Sequence, residues 1–294
     1  MLDAFRLGHF EDVDKGTGVT VILAPQGAIG GVSIMGNAPA SRETELLKSE
    51  KTVSEVHAVV LSGGSAFGLD ACSGVMEYCK KKGIGYDTGA YRVPIVVGAS
   101  LYDLEYKTFA YPDHTMGAYA CEGAGSFVDM GGDIGAGCGA TVGKLLGQAR
   151  ADKGKLGVAC LKYGAVEIAA VVAVNAFGNV YDPDTGALLG GLKAGDHDYN
   201  IERALCHGVE GIAGLNTTIG CVVTNAKLTK AQCNVLAAST NDAYARCIRP
   251  VHTILDGDSI FVLTSGEVEC NLLAMQSLAN VVMCKAIRNA FTLK

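Results

Sequence analysis

The sequence predicts an α+β fold in which helices are layered on largely antiparallel or mixed sheets. Three features of the order of elements support this prediction. The chain opens with strand-like runs, mixes both element types in its middle, and ends strand, helix, strand, helix. A doubly wound α/β fold would alternate strand and helix throughout, so the observed order argues against one.

Eight strands are predicted from runs of β-branched and apolar residues, which fit the pleated surface of a sheet. The runs are 17–23, 31–35, 58–61, 93–97, 166–174, 179–182, 217–224 and 259–264. In the run that begins at 217, Ile219, Cys221 and Val223 alternate with other residues, as in a strand with one face in a core. The threonine at its start, taken alone, marks only where a strand begins.

Three helices are predicted at 65–82, 230–246 and 272–289, from apolar stripes and capping signals. The first has Ser65 as its expected N-cap and ends at Gly83, a residue type that commonly terminates helices. The second opens with Thr229 and Gln232 at capping-box spacing. The third is apolar nearly all round, which predicts that it is buried.

Composition places the chain among globular proteins and excludes several classes of function. Of its 294 residues, 49% are hydrophobic and 18% are charged, which excludes a disordered chain and is compatible with a single domain over 1–294. The net charge of −6 and the lack of a basic face argue against a nucleic-acid partner. No segment has the pattern of a signal peptide or a membrane span, so a cytoplasmic location is expected.

Cysteine usage and the glycine-rich motifs predict neither a metal nor a cofactor. The eleven cysteines include no CxxC pair, which favours buried reduced thiols over disulfides or a zinc site. LSGGSAFG has Phe67 where a nucleophile elbow needs glycine. GAGCGATVGK has Cys138 where a P-loop needs its first glycine, and Leu145 where it needs serine or threonine. The same run matches the dinucleotide-binding pattern only weakly.

One group of residues does fit a chemistry, and Thr217 is at its centre. A threonine hydroxyl is scarcely ionised at neutral pH and needs a base to become a nucleophile. An N-terminal threonine has that base in its own α-amine, whose reference pKa is about 7.7–8. An internal threonine reaches this state by an N-to-O acyl shift at the preceding carbonyl, followed by hydrolysis of the ester. The junction Leu215-Asn216-Thr217, taken as a strained turn into a strand, is the candidate for such a cut.

Three further residues have the chemistry that a threonine hydrolase needs. Asp256 and Asp258 flank a glycine just before a strand, and beside a nucleophile they would hold its hydroxyl and ammonium in position. Two acids at this spacing also occur in solvated turns. Asn175 ends an apolar strand and is a candidate donor to a developing oxyanion. An amide at that position can equally be a cap.

These motifs resemble the family of self-processing aminopeptidases that includes the L-aminopeptidase/D-esterase, the β-aminopeptidases and the nylon-oligomer endohydrolases. The resemblance covers nearly the whole chain. It rests on RLGHF, GNAPASRETELL, AVVLSGGSAFGLDA, VPIVVGASLYDL, GDIGAGCGATVGK, VVAVNAFGNV, NTTIGCVVTNA and RPVHTILDGDSIFVLTSG. It implies a four-layered αββα sandwich similar to the N-terminal nucleophile hydrolases, with different strand connectivity. It also implies self-cleavage into an α chain, 1–216, and a β chain, 217–294, usually assembled into a tetramer of such pairs.

Residue by residue, the resemblance makes Thr217 the nucleophile and Asn216 the last residue of the α chain. Asp256 and Asp258 match the acidic pair of the nylon-oligomer branch, where the aminopeptidase branch has a serine and a glutamate, and a serine nucleophile. Asn175 matches the asparagine that stabilises the oxyanion. The resemblance also brings Lys144 and Tyr102 near the nucleophile. Without the resemblance, Lys144 could otherwise be an exposed helix residue, because it follows a glycine-rich run.

The resulting hypothesis is a cytoplasmic, cofactor-free amide hydrolase that cuts itself between Asn216 and Thr217. Short peptides with free amino termini, β-peptides and linear ω-amino-acid oligomers of the nylon type are all possible substrates. Cys138 stands where the family is expected to have threonine, which bears on substrate preference. An acyltransferase of the ornithine acetyltransferase type also cuts before a threonine, but its junction is typically Ala-Thr-Met. An uncut, non-catalytic binding or scaffold protein is the remaining alternative.

Overall fold

The computed structural model describes residues 2–194, 197–210 and 216–293. The helices, in chain order, are α1 (Ser65–Gly68), α2 (Ala71–Lys81), α3 (His114–Glu122), α4 (Ile201–Cys206), α5 (Lys230–Cys247) and α6 (Leu272–Thr292). Short 3₁₀ turns lie at Thr44–Leu47, Gly135–Gly137 and Gln148–Arg150.

The strands of the described residues alternate with these helices without a regular βαβ pattern. In chain order they are β1 (Arg6–Asp12), β2 (Thr17–Ile34), β3 (Ala40–Arg42), β4 (Glu55–Ser62), β5 (Tyr86–Asp87), β6 (Arg92–Val93), β7 (Val96–Ser100), β8 (Met130–Gly132), β9 (Thr141–Val142), β10 (Asp152–Lys153), β11 (Lys155–Tyr163), β12 (Val166–Asn175), β13 (Asn179–Tyr181), β14 (Leu188–Gly190), β15 (Lys193–Ala194), β16 (His197–Asp198), β17 (Thr217–Ala226), β18 (Ile248–Arg249) and β19 (Ser259–Val268).

A ten-stranded mixed sheet is the framework of the fold. Its order is β3-β7-β4-β2-β19-β17-β12-β11-β8, with β1 also paired to β2. Among the strand pairs described for this sheet, β4–β7 and β17–β19 are parallel and the others are antiparallel. The long strand β2 pairs with β1 and β4 through its first half and with β19 through its second, with a register shift between Leu23 and Ala28. Because β2 changes partners along its length, the sheet divides into two layers.

The hydrophobic cores show how these layers stack. One core lies between the two halves of the sheet and contains alternate residues of strands from both halves: Val59, Leu61, Val97, Ala99, Ala169, Val171, Ala173, Ile219, Cys221, Val223, Phe261 and Leu263. A second core packs α2 and α3 on the outer face of β2 and β4. A third packs α5 and α6 on the outer face of β12, β17 and β19. The arrangement is helix, sheet, sheet, helix, which confirms the expected αββα sandwich.

The predicted strands are present, but two boundaries differ from the prediction. The runs at 17–23 and 31–35 belong to the single strand β2. The run at 93–97 is divided by Pro94, which has no N–H to donate to a ladder, and the longer strand begins only at Val96. Strands β1 and β11 and helix α3 were not predicted.

The first predicted helix, 65–82, is wrong at its start. The chain forms α1, breaks, and forms α2, and the residue at the N-cap position of α1 is Gly64 with φ 82°. Ser65 makes no cap hydrogen bond, has φ 53°, and donates its N–H to the Leu101 carbonyl. This positive φ belongs to a tight turn that cannot extend a regular helix.

The other two helix predictions are confirmed in their main features. Helix α5 begins with the complete capping box formed by Thr229 and Gln232. Such a cap contributes about 1 kcal/mol of stability. Helix α6 is not buried all round, because Leu273 and Val281 are 73% and 51% exposed while its other face lies in the core. No helix of the described residues is long and apolar enough to cross a membrane.

Glycine allows α6 to lie directly on the sheet. A Cβ at Gly157 of β11 would lie 2.0 Å from the carbonyl oxygen of Ala286 and 2.9 Å from the Cβ of Ala290. Strand and helix backbones are therefore too close for any side chain at this position. This contact sets the distance between α6 and the strands that it covers.

We predict that Gly157→Ala lowers the free energy of unfolding by about 1–3 kcal/mol, because the added methyl group must push α6 off the sheet. The midpoint of urea unfolding measures this change. Gly125→Ala is the matched control, since a Cβ there would meet no atom within 4 Å. Equal midpoints for the two variants would contradict the close packing of α6.

Candidate active site

Thr217 and Asn175 face each other where two central strands meet the edge of the sheet. Thr217 is the first residue of β17, and it pairs with Asn175, the last residue of β12. Both continue the rows of side chains that fill the core between the layers, since Ile219 and Ala173 are the next residues of those rows. Thr217 is 4% exposed and Asn175 is fully buried. The two side chains thus close one end of the inter-layer core.

The turn Asp256–Gly257–Asp258, called here the DGD turn, packs directly against the Asn216–Thr217 peptide bond. Asn216 donates its N–H to the Leu255 carbonyl at 3.0 Å, and Gly257 donates its N–H to the Asn216 carbonyl at 2.9 Å. These bonds form a parallel bridge between Asn216 and Asp256. The Thr217 hydroxyl also donates to the Asn216 carbonyl oxygen. The hydroxyl therefore contacts the carbonyl group that an acyl shift would attack.

The glycine of the DGD turn is required by this packing. A Cβ at Gly257 would lie 2.6 Å from the carbonyl oxygen of Ala38 and 2.9 Å from the Thr217 hydroxyl oxygen. Any side chain would displace the threonine hydroxyl or the neighbouring loop.

Asp256 is buried and fully engaged with its surroundings. Its Oδ2 accepts from the N–H of Thr253 at 2.9 Å and from the Thr253 hydroxyl at 2.6 Å. Its Oδ1 accepts from the N–H of Phe177 at 3.4 Å. Burial, and then the charge of Asp258, raise the pKa of Asp256 to about 6. This carboxyl group is therefore partly protonated in weakly acidic solution.

Asp258 connects the backbone beside Thr217 to a histidine that we did not predict. Its Oδ1 accepts from the N–H of Thr218 at 2.7 Å, and its Oδ2 accepts from His252 Nδ1 at 2.8 Å. Burial disfavours a charged His252, but the hydrogen bond to Asp258 and the charge of that residue outweigh burial and raise the pKa of His252. His252 thus helps to neutralise the acidic pair. The only signal for it was its position in PVHTILDGD, six residues before Asp258.

The side-chain amide of Asn175 is held in one orientation. Its Oδ1 accepts from Lys144 Nζ at 2.7 Å and from the N–H of Thr141 at 2.9 Å. Its Nδ2 donates to the Tyr102 carbonyl at 3.0 Å. An amide nitrogen has two hydrogens, so this bond leaves one for another acceptor. A donor fixed by three neighbours requires little reorganisation when it receives a negative charge.

Lys144 is a buried lysine, not an exposed helix residue. Its ammonium group also reaches the Asn175 backbone carbonyl at 3.3 Å. Burial lowers the pKa of Lys144 to about 7, although nearby acids, chiefly Asp256 and then Asp103, oppose this effect. At neutral pH the group therefore exists in both charged and neutral forms.

Tyr102 reaches the site through its backbone. Its carbonyl accepts from Asn175, while its hydroxyl donates to Glu105 at 3.1 Å. Burial, and then the bond to Glu105, raise the pKa of the Tyr102 hydroxyl, which remains protonated. The structure therefore brings Thr217, Asn175 and Lys144 together with a peptide carbonyl of Tyr102.

Asp103 is a second functional candidate that the sequence did not indicate, although it stands in the LYDL motif beside Tyr102. It is buried, and it accepts from the Thr17 hydroxyl at 2.8 Å and from the N–H of Gly64 at 2.6 Å. A Cβ at Gly63 or Gly139 would lie within 2.3 Å of its Oδ2. Two glycine-rich motifs therefore close around this carboxylate, which fixes the segment that supplies the Tyr102 carbonyl.

The remaining sequence predictions for the site have mixed outcomes. Leu215 lies outside the described residues. The strain expected at this junction therefore stays a prediction. Cys138 is buried, with its sulfur 3.9 Å from the Asp12 carbonyl oxygen. Within the described part of the chain, no three histidine, cysteine or acidic side chains are grouped to hold a metal ion.

Comparison with known proteins identifies the family. The chain matches Peptidase family S58 over residues 4–292. It is 38% identical over 285 residues to an uncharacterized aminopeptidase of Mycobacterium tuberculosis, covering 90% of this chain and 80% of that protein. It is 30% identical over 310 residues to the 6-aminohexanoate-oligomer endohydrolase of a Kocuria species, covering 96% of this chain and 82% of that enzyme.

Solved structures share the fold at lower sequence identity. The L-aminopeptidase D-Ala-esterase/amidase of Ochrobactrum anthropi, described as a variant of the Ntn hydrolase fold, superimposes with a TM-score of 0.71 at 15% identity, covering 98% of this chain and 83% of that one. The β-aminopeptidase of a Burkholderia species gives a TM-score of 0.65 at 17% identity, with the same coverage.

The fold and the family together define the class of protein, an α+β enzyme that hydrolyses amide bonds. The chain belongs to peptidase family S58.

The high pKa of Asp103 predicts a pH-dependent contribution to stability. Its pKa is about 6 when folded, against 3.8 for the free side chain. As the pH falls from about 6 to 4, the folded state binds a proton that the unfolded chain does not. The free energy of unfolding should therefore rise by roughly 2 kcal/mol relative to Asp103→Asn.

Urea unfolding of both chains between pH 4 and pH 7 measures this difference. Both chains also carry Thr217→Ala, which removes the hydroxyl at the candidate cut. Parallel pH profiles would mean that the Asp103 carboxyl group does not have this raised pKa.

Proposed function

We propose that this enzyme is an N-terminal threonine amide hydrolase that activates itself by cutting between Asn216 and Thr217. The observation that carries the proposal is the contact of the Thr217 hydroxyl with the Asn216 carbonyl, at the start of a strand and opposite Asn175. Membership of peptidase family S58 supports the amide chemistry.

Self-cleavage begins when the Thr217 hydroxyl oxygen attacks the carbonyl carbon of Asn216. The C–N bond breaks, the Thr217 nitrogen leaves as an amine after taking up a proton, and an ester links the two residues. Water then hydrolyses the ester, which gives the Asn216 carboxylate and restores the Thr217 hydroxyl. The products are an α chain, 1–216, and a β chain, 217–294.

In turnover the freed α-amine of Thr217 accepts the proton of its own hydroxyl. The hydroxyl oxygen attacks the amide carbonyl of the substrate, the amine product leaves, and water hydrolyses the acyl-enzyme. The free hydrogen of the Asn175 amide is the proposed donor to the oxyanion. Lys144 holds that amide in place and contributes a charge that varies near neutral pH. Tyr102 fixes the amide from its other side through the backbone carbonyl.

Asp256 and Asp258 are proposed to orient the nucleophile and balance its charge. Asp258 holds the backbone of Thr218 directly after the nucleophile. Both carboxylates already have several protein partners, which favours this positioning role over direct capture of a substrate ammonium. The chain also follows the nylon-oligomer branch in having two aspartates here.

We therefore propose linear ω-amino-acid oligomers or short peptides as substrates, with β-peptides and an L-aminopeptidase activity as the alternative. The α and β chains are proposed to stay together in a cytoplasmic homotetramer of αβ units. No nucleic acid, membrane or cofactor has a part in the proposed reaction.

Self-cleavage predicts two pieces in the purified protein. The intact mass under denaturing conditions should correspond to 1–216 and 217–294, and Thr217→Ala should give one chain of 294 residues. Thr218→Ala is the matched control and should still be cut, because its hydroxyl has no hydrogen-bond partner among the described residues. A single uncut chain in the parent protein after long incubation would overturn the proposal and favour a non-catalytic scaffold.

The proposed oxyanion donor predicts a specific loss of turnover. Asn175→Ala should lower kcat about 100-fold or more with little change in KM, because the lost bond is strongest in the transition state. Suitable probes are linear 6-aminohexanoate trimer, L-alanine p-nitroanilide and a β-alanine dipeptide. Asn289→Ala, which removes a buried amide of α6 that donates to the Val158 carbonyl of β11, should leave kcat unchanged. Equal losses in both variants would mean that Asn175 acts only through stability.

A further inference from the structure

The DGD turn makes a contact that the proposed roles of its two acids do not use. The N–H of Gly257 points at the Asn216 carbonyl oxygen with a donor–acceptor distance of 2.9 Å. That oxygen would become negatively charged when Thr217 attacks the carbonyl carbon. We propose that the Gly257 N–H is the oxyanion donor for self-cleavage, a role separate from that of Asn175 in turnover. The inference rests on the self-cleavage proposed above.

The geometry places the donor and the nucleophile on the same peptide group. The Thr217 hydroxyl contacts the Asn216 carbonyl oxygen, and the Gly257 N–H binds the same oxygen. The Gly257 donor already lies 2.9 Å from the oxygen that would become the oxyanion, inside the range of 2.7–3.1 Å that is effective for oxyanion stabilisation.

The surroundings hold the donor rigidly and keep water away. Asn216 is 1% exposed, and its own N–H donates to the Leu255 carbonyl at 3.0 Å. Asn216 is thus held through its N–H by Leu255 and through its carbonyl by Gly257. A fixed donor in a buried site stabilises a developing charge more than a donor in water does, because it need not reorient as the charge forms.

In the uncut chain the described hydrogen bonds of the Asn175 side chain go to other groups than the Asn216 carbonyl. Its Oδ1 binds Lys144 and Thr141, and its Nδ2 binds the Tyr102 carbonyl. No hydrogen bond joins Asn175 to the Asn216 carbonyl among the described contacts. The Gly257 N–H thus binds the Asn216 carbonyl, whereas Asn175 is the cross-strand partner of Thr217 and its described bonds go elsewhere.

Glycine at position 257 permits both contacts with the Asn216 carbonyl. A β-carbon there would lie 2.9 Å from the Thr217 hydroxyl oxygen, so a side chain would exclude the nucleophile from the position in which it contacts the carbonyl. The absence of a side chain lets the N–H and the hydroxyl reach the same peptide group. An ordinary substitution at 257 would disturb both, so the test must change the N–H alone.

The experiment replaces single backbone N–H groups by ester oxygens in the full chain. Cell-free translation with glycolic acid at position 257 removes the Gly257 N–H and adds no atoms that clash. Lactic acid at position 38 is the matched control. It removes the Ala38 N–H, which donates to the Asp256 carbonyl of the same turn at the same distance of 2.9 Å.

Mass spectrometry measures how fast the pieces 1–216 and 217–294 appear from each chain. Each rate is divided by the fraction of folded chain, which is measured by protease resistance. The ester at 257 should slow self-cleavage about 100-fold, the effect of losing one oxyanion donor. The ester at 38 should change it by no more than a few-fold. Equal rates for the two esters would overturn the inference and leave the 257 contact as an ordinary bridge hydrogen bond.

The parent chain separates this inference from the proposed function. If the unmodified chain never cuts itself, the self-cleavage proposal fails and this inference fails with it. If the unmodified chain is cut and the ester at 257 slows the cut no more than the ester at 38, the proposed function stands. Only the assignment of Gly257 is then wrong.

Discussion

The candidate site depends on the direction in which two neighbouring strands run. Strands β17 and β19 are parallel, so both begin at the same edge of the sheet. The residues just before β19, the DGD turn, therefore meet the residues at the start of β17, Asn216 and Thr217. Strand β12 is antiparallel to β17 and ends at that edge with Asn175. Strand polarity thus brings Thr217, the acidic pair and the Asn175 amide together from three segments far apart in the chain.

Charge at this edge is buried, and it is balanced locally. Lys144, Asp103 and Asp256 are each at most 4% exposed. Burial lowers the pKa of Lys144 and raises the pKa of both acids, so each group is shifted toward its neutral form. His252 adds a partner on the far side of Asp258. These three side chains therefore gain or lose a proton between about pH 6 and pH 7, which suits proton transfer in acyl chemistry.

The sequence predicted the candidate site residues better than the residues that hold them in position. Thr217, the DGD turn and Asn175 stand beside strands whose alternation is clear, so their proximity followed from motif and family resemblance. Asp103 was missed because its partners, Thr17 and Gly64, are distant in the chain and give no local pattern. Strand β2 was read as two runs because its bend coincides with the Pro25-Gln26-Gly27 segment. The capping prediction for Ser65 failed because tertiary contacts impose a positive φ there.

The pairing of β17 and β19 has a consequence for a chain that has been cut before Thr217. Both strands would belong to the short piece, yet they lie side by side between β2 and β12 of the long piece. Each outer neighbour is joined to them by a full ladder of backbone hydrogen bonds. The short piece thus supplies two central strands of the sheet, and its removal would expose the core between the layers. A cut before Thr217 would therefore have to follow folding, because the short piece could not enter the closed sheet from outside.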